Sequence, residues 1–207
     1  MIDSHCRAPF QKAFIDPVFK FFPLLLRISP FYITLLAMFC GALAAPLLFF
    51  KQTWLALFFI LFSAYCDILD GSLAREAKKS SNAGAVLDVF CDRFVEFCII
   101  LGLYLFDPAR ALYCLLMLGS AYLCVCSFLL VAIFKKNNSQ KSFHYSPGLI
   151  ERTEAFFLFT AMLVFPKLFI LLALAFTILT AFTAFVRIGE FFIQDLDIVE
   201  DEPKYKH

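Results

Sequence analysis

Long apolar stretches broken by short polar links dominate the chain. The apolar runs occupy residues 31–50, 52–70, 84–106, 110–134, 153–166 and 168–193, most of them near the roughly 20 residues a helix needs to cross a bilayer. Three links, Lys51–Gln52, Asp107–Pro108–Ala109 and Pro166–Lys167, are only two or three residues long. Links that short suit antiparallel helical hairpins. The pattern predicts an all-α integral membrane protein with six transmembrane helices.

Upstream of the first run, Phe10, Phe14, Val18, Phe21 and Leu25 recur every three or four residues, with Gln11, Lys12, Asp16 and Lys20 on other faces. This periodicity predicts an N-terminal amphipathic helix over residues 1–30, lying in the headgroup layer and bent at Pro17 and Pro23. The polar stretch 195–207, acidic in its first part, reads as a mobile cytoplasmic tail. Residues 31–194 remain as the six-span domain. The first residues lack the basic-then-apolar pattern of a signal peptide.

Composition sharpens the membrane reading. Of 207 residues, 62% are hydrophobic and 17% charged, where a soluble domain is about half apolar and about a quarter charged. A formal net charge of +1 offers no field to recruit nucleic acid. The distribution of charge matters more than its sum. With six spans, both termini and the loops around 71–83 and 135–152 share one side. That side carries all but three of the 18 Lys and Arg, the exceptions being Lys51, Arg110 and Lys167. The positive-inside rule therefore predicts cytoplasmic termini. Seven of the eight cysteines lie inside apolar runs without metal-site spacing and read as small buried hydrophobes.

The chemistry concentrates where runs two and three meet the cytoplasmic edge. Asp67 and Asp70 stand three apart near the end of run two, and Asp88 and Asp92 stand four apart near the start of run three. Both spacings place a pair on one helix face, and the short link predicts neighbouring helices with facing carboxylates. A single Asp at a helix end is most often a cap or a solvated charge, and Gly84 by itself reads as close helix packing. Four carboxylates together at a membrane edge are a different matter, because ionisable groups there are costly and usually paired or functional. Arg75 and Arg93 offset part of the charge. Hard divalent cations such as Mg²⁺ or Mn²⁺ offset more, and accept waters or substrate phosphates as further ligands. Gly71 and Gly84 leave the backbone beside the acids open to a bulky phosphorylated ligand. The pattern points to metal-assisted phosphoryl transfer.

The full spacing is D-x2-D-G-x2-A-R-x8-G-x3-D-x3-D, eight fixed positions over the 26 residues from Asp67 to Asp92. It resembles the signature of the CDP-alcohol phosphotransferase (CDP-alcohol phosphatidyltransferase) family, integral membrane enzymes of phospholipid synthesis. Six spans, cytoplasmic termini and an interfacial N-terminal helix fit the same family. The segment Pro30-Phe31-Tyr32-Ile33-Thr34 is similar to the family's Pro-Asn-x-x-Thr opening of span one, with Phe31 where Asn is common, and Ala83 stands where many members carry Phe. The resemblance implies roles for these residues. Asp67, Asp70, Asp88 and Asp92 would hold two divalent ions, Mg²⁺ or Mn²⁺, and Asp92 would also take the proton of the incoming alcohol. Asp67, Gly71, Ala74, Arg75 and Gly84 would form the CDP pocket. The implied reaction moves the phosphatidyl group of CDP-diacylglycerol to a small polar alcohol, of the glycerol 3-phosphate or inositol type, with release of CMP at the cytoplasmic edge. The implied partners are those two substrates and the surrounding lipids, and the family admits a homodimer.

Candidates for the acceptor site are basic. Lys135, Lys136, Lys141 and Arg152 crowd the second cytoplasmic loop, and Arg187 sits within an apolar run. The lysines read as ordinary cytoplasmic-side charges, whereas Arg152, between Glu151 and Glu154, and Arg187 are the candidates for an acceptor phosphate or polyol. Glu96 reads as a partner for Arg93. His5, His144 and His207 have no acid or nucleophile at useful spacing. Two other readings use the same acids. A CDP-choline or CDP-ethanolamine aminoalcohol phosphotransferase predicts a longer chain with more spans. A small divalent-cation transporter predicts polar groups through the outer halves of spans two and three, which are apolar.

Overall fold

The computed structural model describes Pro17 and residues 29–76, 81–134 and 152–201, the side chains of residues 152–153 and 194–201 excepted. Nearly all of the amphipathic segment expected over residues 1–30 lies outside this set. So do Lys135, Lys136, Lys141, the three histidines and the side chain of Arg152.

The regular elements among the described residues are helices. α1 spans Pro30–Ala42 and α2 Ala44–Phe49. Pro30 begins α1, a position where a missing N–H costs nothing. The break after Ala42 traces to Pro46, which offers no N–H and whose ring crowds the carbonyl four residues back. Together α1 and α2 form one apolar rod. It closes at Lys51, which adopts φ 60°; its N–H donates to Leu48 O at 3.0 Å, while the Gln52 N–H reaches Leu47 O at 2.8 Å. This Schellman-type closure turns the chain into α3, Thr53–Glu76.

α4, Asn82–Phe106, starts at Ser81, whose Oγ accepts from the Gly84 N–H at 3.1 Å. A 3-10 turn over Pro108–Arg110 leads to α5, Ala111–Phe134. α6 covers Arg152–Val164, and a second 3-10 turn, Pro166–Leu168, leads to α7, Phe169–Asp201. Two helices run past their expected ends. α3 continues through Gly71 to Glu76 with Ser72 and Leu73 buried, and that burial outweighs the roughly 1 kcal/mol a helical glycine costs. α7 extends to Asp201, into the stretch expected as a tail.

Four segments are long and apolar enough to cross a membrane: Pro30–Phe49, Thr53–Glu76, Pro108–Phe134 and Pro166–Ile193. α4 has the length but carries Asp88, Asp92, Arg93 and Glu96; α6 has 13 residues. Trp54, Phe157 and Phe185 point outward with 79%, 73% and 73% of their surface exposed, as side chains do where the surrounding solvent is lipid. The chain is a multi-pass membrane protein.

The α1–α2 rod organises the packing. The sequence predicts α3 and α4 as direct neighbours; in the structure each packs chiefly on the rod, and they approach each other through their acidic side chains. Glycine makes the contact close. A Cβ on Gly41 would come within 2.4 Å of Val95 Cγ1 on α4 and 2.8 Å of Ser63 Oγ on α3, and one on Gly102 within 2.9 Å of Leu48 Cδ1. Small residues at such crossings let helix backbones meet where lipid provides no hydrophobic drive. Ser63 Oγ adds a bond to Ala37 O at 2.7 Å. α7 lies along α5, with α6 against α7 and α3. The seven described cysteines are free thiols, five of them fully buried.

Candidate functional site

The acidic residues sit where the rod brings α3 and α4 together. Asp67 and Asp70 lie one turn apart on α3, and Asp88 lies near the start of α4. One oxygen from each of the three falls within 4.8 Å of the other two. Two carboxylates about 5 Å apart repel by roughly 3 kcal/mol at an effective dielectric near 20, so the cluster favours a cation among its oxygens. The donor set fits one: oxygens bound at ~2–2.5 Å to Mg²⁺, Mn²⁺ or Ca²⁺ lie up to ~4–5 Å apart across the ion.

Asp92, the fourth predicted ligand, stands one turn further along α4 and is not part of that triplet. Its Oδ1 and that of Asp88 are buried atoms with no hydrogen bond of their own, while both residues make other polar interactions. Glu96 follows at the next turn, so Asp88, Asp92 and Glu96 share one face of α4. Glu96 is buried and ion-paired with Arg93, as its spacing predicts.

The glycines and arginine of the motif border the acids differently. A Cβ on Gly71 would meet only Arg75 Nη1, at 3.5 Å, so that side of α3 is open up to the guanidinium. Arg75 is exposed and donates from Nη2 to Ser72 Oγ at 3.0 Å. Ala74 is half-buried beside it. Gly84 is exposed at the start of α4, where a Cβ would lie 3.2 Å from the capping Ser81 Oγ.

Arg187 is not brought to the acids by any of its polar contacts. It is buried on α7 and ties that helix to α5: Nη1 donates to Cys124 O at 3.0 Å and Ser127 Oγ at 3.1 Å, and the guanidinium lies 5.6 Å from the Phe128 ring centroid. Its Nε is buried without a hydrogen-bond acceptor among the described residues. Arg152 opens α6.

Thr34 is the site residue that spacing did not assign. On α1, its Oγ1 donates to Asp70 Oδ2 at 2.5 Å, with Pro30 O at 3.2 Å as the alternative acceptor. Its signal in the sequence is the Pro30–Thr34 segment, similar to the family's Pro-Asn-x-x-Thr opening of span one, which gives Thr34 no partner.

Comparison with known proteins agrees with this geometry. The profile of the CDP-alcohol phosphatidyltransferase family matches residues 27–187. The chain is 32% identical over 171 residues to the inner membrane protein YnjF of Escherichia coli, covering 78% of this chain and 82% of that protein. It is 27% identical over 163 residues to a phosphatidylinositol phosphate synthase of Corynebacterium glutamicum, covering 74% and 70%. The crystal structure of Mycobacterium tuberculosis phosphatidylinositol phosphate synthase, in complex with manganese and citrate, superposes with a TM-score of 0.71 at 20% identity, over 85% of this chain and 88% of that one. At that identity the likeness is one of fold.

Proposed function

The chain belongs to the CDP-alcohol phosphatidyltransferase family, and from that premise we propose that it moves the phosphatidyl group of CDP-diacylglycerol to a small polar alcohol, releasing CMP. The observation that carries this reading is the meeting of Asp67, Asp70 and Asp88 oxygens within 4.8 Å of one another. Those three residues hold divalent metal, Mg²⁺ or Mn²⁺ and two ions when fully loaded, with Asp92 completing the set from the next turn. Bound there, the metal supplies positive charge to the diphosphate and to departing CMP.

The remaining steps fall to side chains. Gly71, Ala74 and Gly84 let the cytidine diphosphate approach the backbone, and Arg75, at the open side of Gly71, meets a phosphate oxygen. The acceptor hydroxyl attacks the phosphorus that carries the diacylglycerol; its O–P bond forms as the bond to CMP breaks, and Asp92 accepts the hydroxyl proton. Arg187, through its buried Nε, and Arg152, at the mouth of α6, bind the acceptor. The acceptor is of the glycerol 3-phosphate or inositol type, and the similarity to proteins named phosphatidylinositol phosphate synthases supports the inositol type.

In this reading α4 and α6 complete six crossings, and both termini and the site face the cytoplasm. The 25 residues of α4 extend roughly 37 Å, enough for a bilayer core, and the uneven distribution of Lys and Arg supports the orientation. The test is CMP release from CDP-diacylglycerol by the purified protein, with inositol phosphate, glycerol 3-phosphate, inositol and serine as acceptors, in Mg²⁺, Mn²⁺ and EDTA. Metal-dependent release with one acceptor is the expected result. Release only from CDP-choline or CDP-ethanolamine, or none with any acceptor, overturns the assignment.

A further inference from the structure

We infer that Thr34 is a positioning residue for the metal site, holding the Asp70 carboxylate in the orientation the cluster requires. The inference rests on the metal-binding reading of Asp67, Asp70 and Asp88. Thr34 and Asp70 lie 36 residues apart in sequence, on different helices, and both are buried, at 7% and 4% exposure. A carboxylate turning freely about its last bond presents its lone pairs to a metal only part of the time; one oxygen fixed by a donor sets the plane of the group and leaves the other lone-pair directions for the ion. Thr34 has one proton to give. Asp70 Oδ2 at 2.5 Å takes it in preference to Pro30 O at 3.2 Å.

The placement of Thr34 is itself over-determined. Thr34, Ala37 and Gly41 recur at three- and four-residue spacing, which gives α1 a single face, and successive turns of that face meet α3. Gly41 lies against Ser63, Ala37 O accepts from Ser63 Oγ, and Thr34 reaches Asp70. The buried seam of Ile33 and Ala37 with Cys66, Leu69 and Leu73 fixes the register of α1 on α3, the Ser63 bond adds stability to it, and that register delivers the hydroxyl to the acid. Threonine's branched Cβ narrows its χ1 choices in a helix, so the donor is aimed before any metal arrives. Asp70 thereby differs from Asp67, which shares α3 and the cluster but is less deeply buried.

The test measures Mn²⁺ binding to the purified full chain by calorimetry and by metal-dependent thermal shift, for wild type, Thr34→Val, Thr34→Ser and Ser63→Ala. Thr34→Val removes the donor at nearly constant volume and is expected to weaken Mn²⁺ binding about tenfold or more. Thr34→Ser keeps the donor and stays within about threefold of wild type. Ser63→Ala deletes a bond between the same two helices away from the acids, and leaves the Mn²⁺ midpoint unchanged while lowering the metal-free melting temperature. A purely structural role for Thr34 predicts the Ser63→Ala behaviour for Thr34→Val, and that result overturns the inference. So does a large loss of Mn²⁺ affinity in Thr34→Ser, a variant that disturbs the packing least. If wild type itself binds no Mn²⁺, the metal-binding reading falls instead, and the inference with it.

Discussion

The two ends of the α3–α4 pair treat charge in opposite ways. At the end near Lys51, two cations find their partners within the chain. Lys51 Nζ lies 4.2 Å from the Phe106 ring centroid, Arg110 Nε bonds Asp107 Oδ2 at 3.2 Å, and the Arg110 guanidinium lies 4.3 Å from the Phe169 centroid and 5.4 Å from that of Phe106. At the other end, some 20–25 Å along α3, the chain gathers Asp67, Asp70 and Asp88 oxygens within 4.8 Å and holds one of those acids with a hydroxyl. The first arrangement serves stability locally. The second raises the energy of the protein alone and lowers it when a cation from outside arrives, which is the physical difference between a folding element and a binding site.

That contrast predicts that substitutions at the two ends fail differently. The largest effect is expected at Asp92. Asp92→Asn keeps size and an acceptor oxygen but takes no proton near neutral pH, so turnover should fall by a factor of about 10² to 10⁴ with CDP-diacylglycerol binding largely retained. Asp67→Asn should instead weaken metal and CDP-lipid binding together, because its charge holds the ground-state complex. Titrating metal and nucleotide into each variant before measuring CMP release separates the two. Near-normal turnover of Asp92→Asn at saturating Mg²⁺ removes the base assignment and leaves the family assignment standing.

Metal removal comes next. A ligand at 100 times its Kd stabilises by about 2.7 kcal/mol, and each kcal/mol moves the melting temperature of a chain this size by roughly 2–4 °C. Chelation with EDTA is therefore expected to lower the melting temperature by about 5–10 °C, reversibly on adding Mn²⁺. Asp70→Asn should abolish that increment. An increment that survives Asp70→Asn places the metal elsewhere.

The acids are legible in the sequence because three- and four-residue spacings translate directly into helix faces. The span ends are legible because Lys51–Gln52, Asp107–Ala109 and Pro166–Lys167 interrupt apolar runs where the backbone turns. What spacing leaves open is which helices touch. No periodicity states that α1 is the wall shared by α3 and α4, since that follows from Gly41 and Gly102 admitting their neighbours. The partner of Thr34 stays hidden for the same reason: its place in the Pro30–Thr34 segment names the residue, and only the register of α1 on α3 selects Asp70. Arg187 shows the converse. A cation in an apolar run suggests a ligand, yet two of its hydrogen bonds go to α5, so much of its role is to join helices.

At the far end the effects shrink and change kind. Arg110→Ala deletes an ion pair whose acid is partly exposed and two ring contacts, together worth about 1–2 kcal/mol. The melting temperature should drop by roughly 2–8 °C, while the metal-dependent increment and CMP release stay at wild-type values. A loss of metal affinity in this variant would show the two ends to be coupled through α4, and the contrast between them would no longer hold.

The smallest effect is expected at Lys51, where two terms nearly cancel. Its φ of 60° costs an L-residue roughly 1–2 kcal/mol at the position of the closure where glycine is the usual choice. Its ammonium recovers about 0.5–1 kcal/mol over the Phe106 ring. Lys51→Gly removes both the strain and the contact, although glycine adds back some unfolded-state entropy; the melting temperature should shift by no more than about 3 °C, upward if strain dominates. Lys51→Ala loses the contact and keeps the strain, so it should melt below Lys51→Gly. The gap between the two variants reports the backbone strain less the extra unfolded-state entropy of glycine, because neither has the ammonium. If both melt together, the strain of the left-handed turn is no larger than that entropy, about 0.4–1 kcal/mol. Neither variant should alter the Mn²⁺ midpoint, since the charge at this end is settled within the chain before the site at the other end takes up its metal.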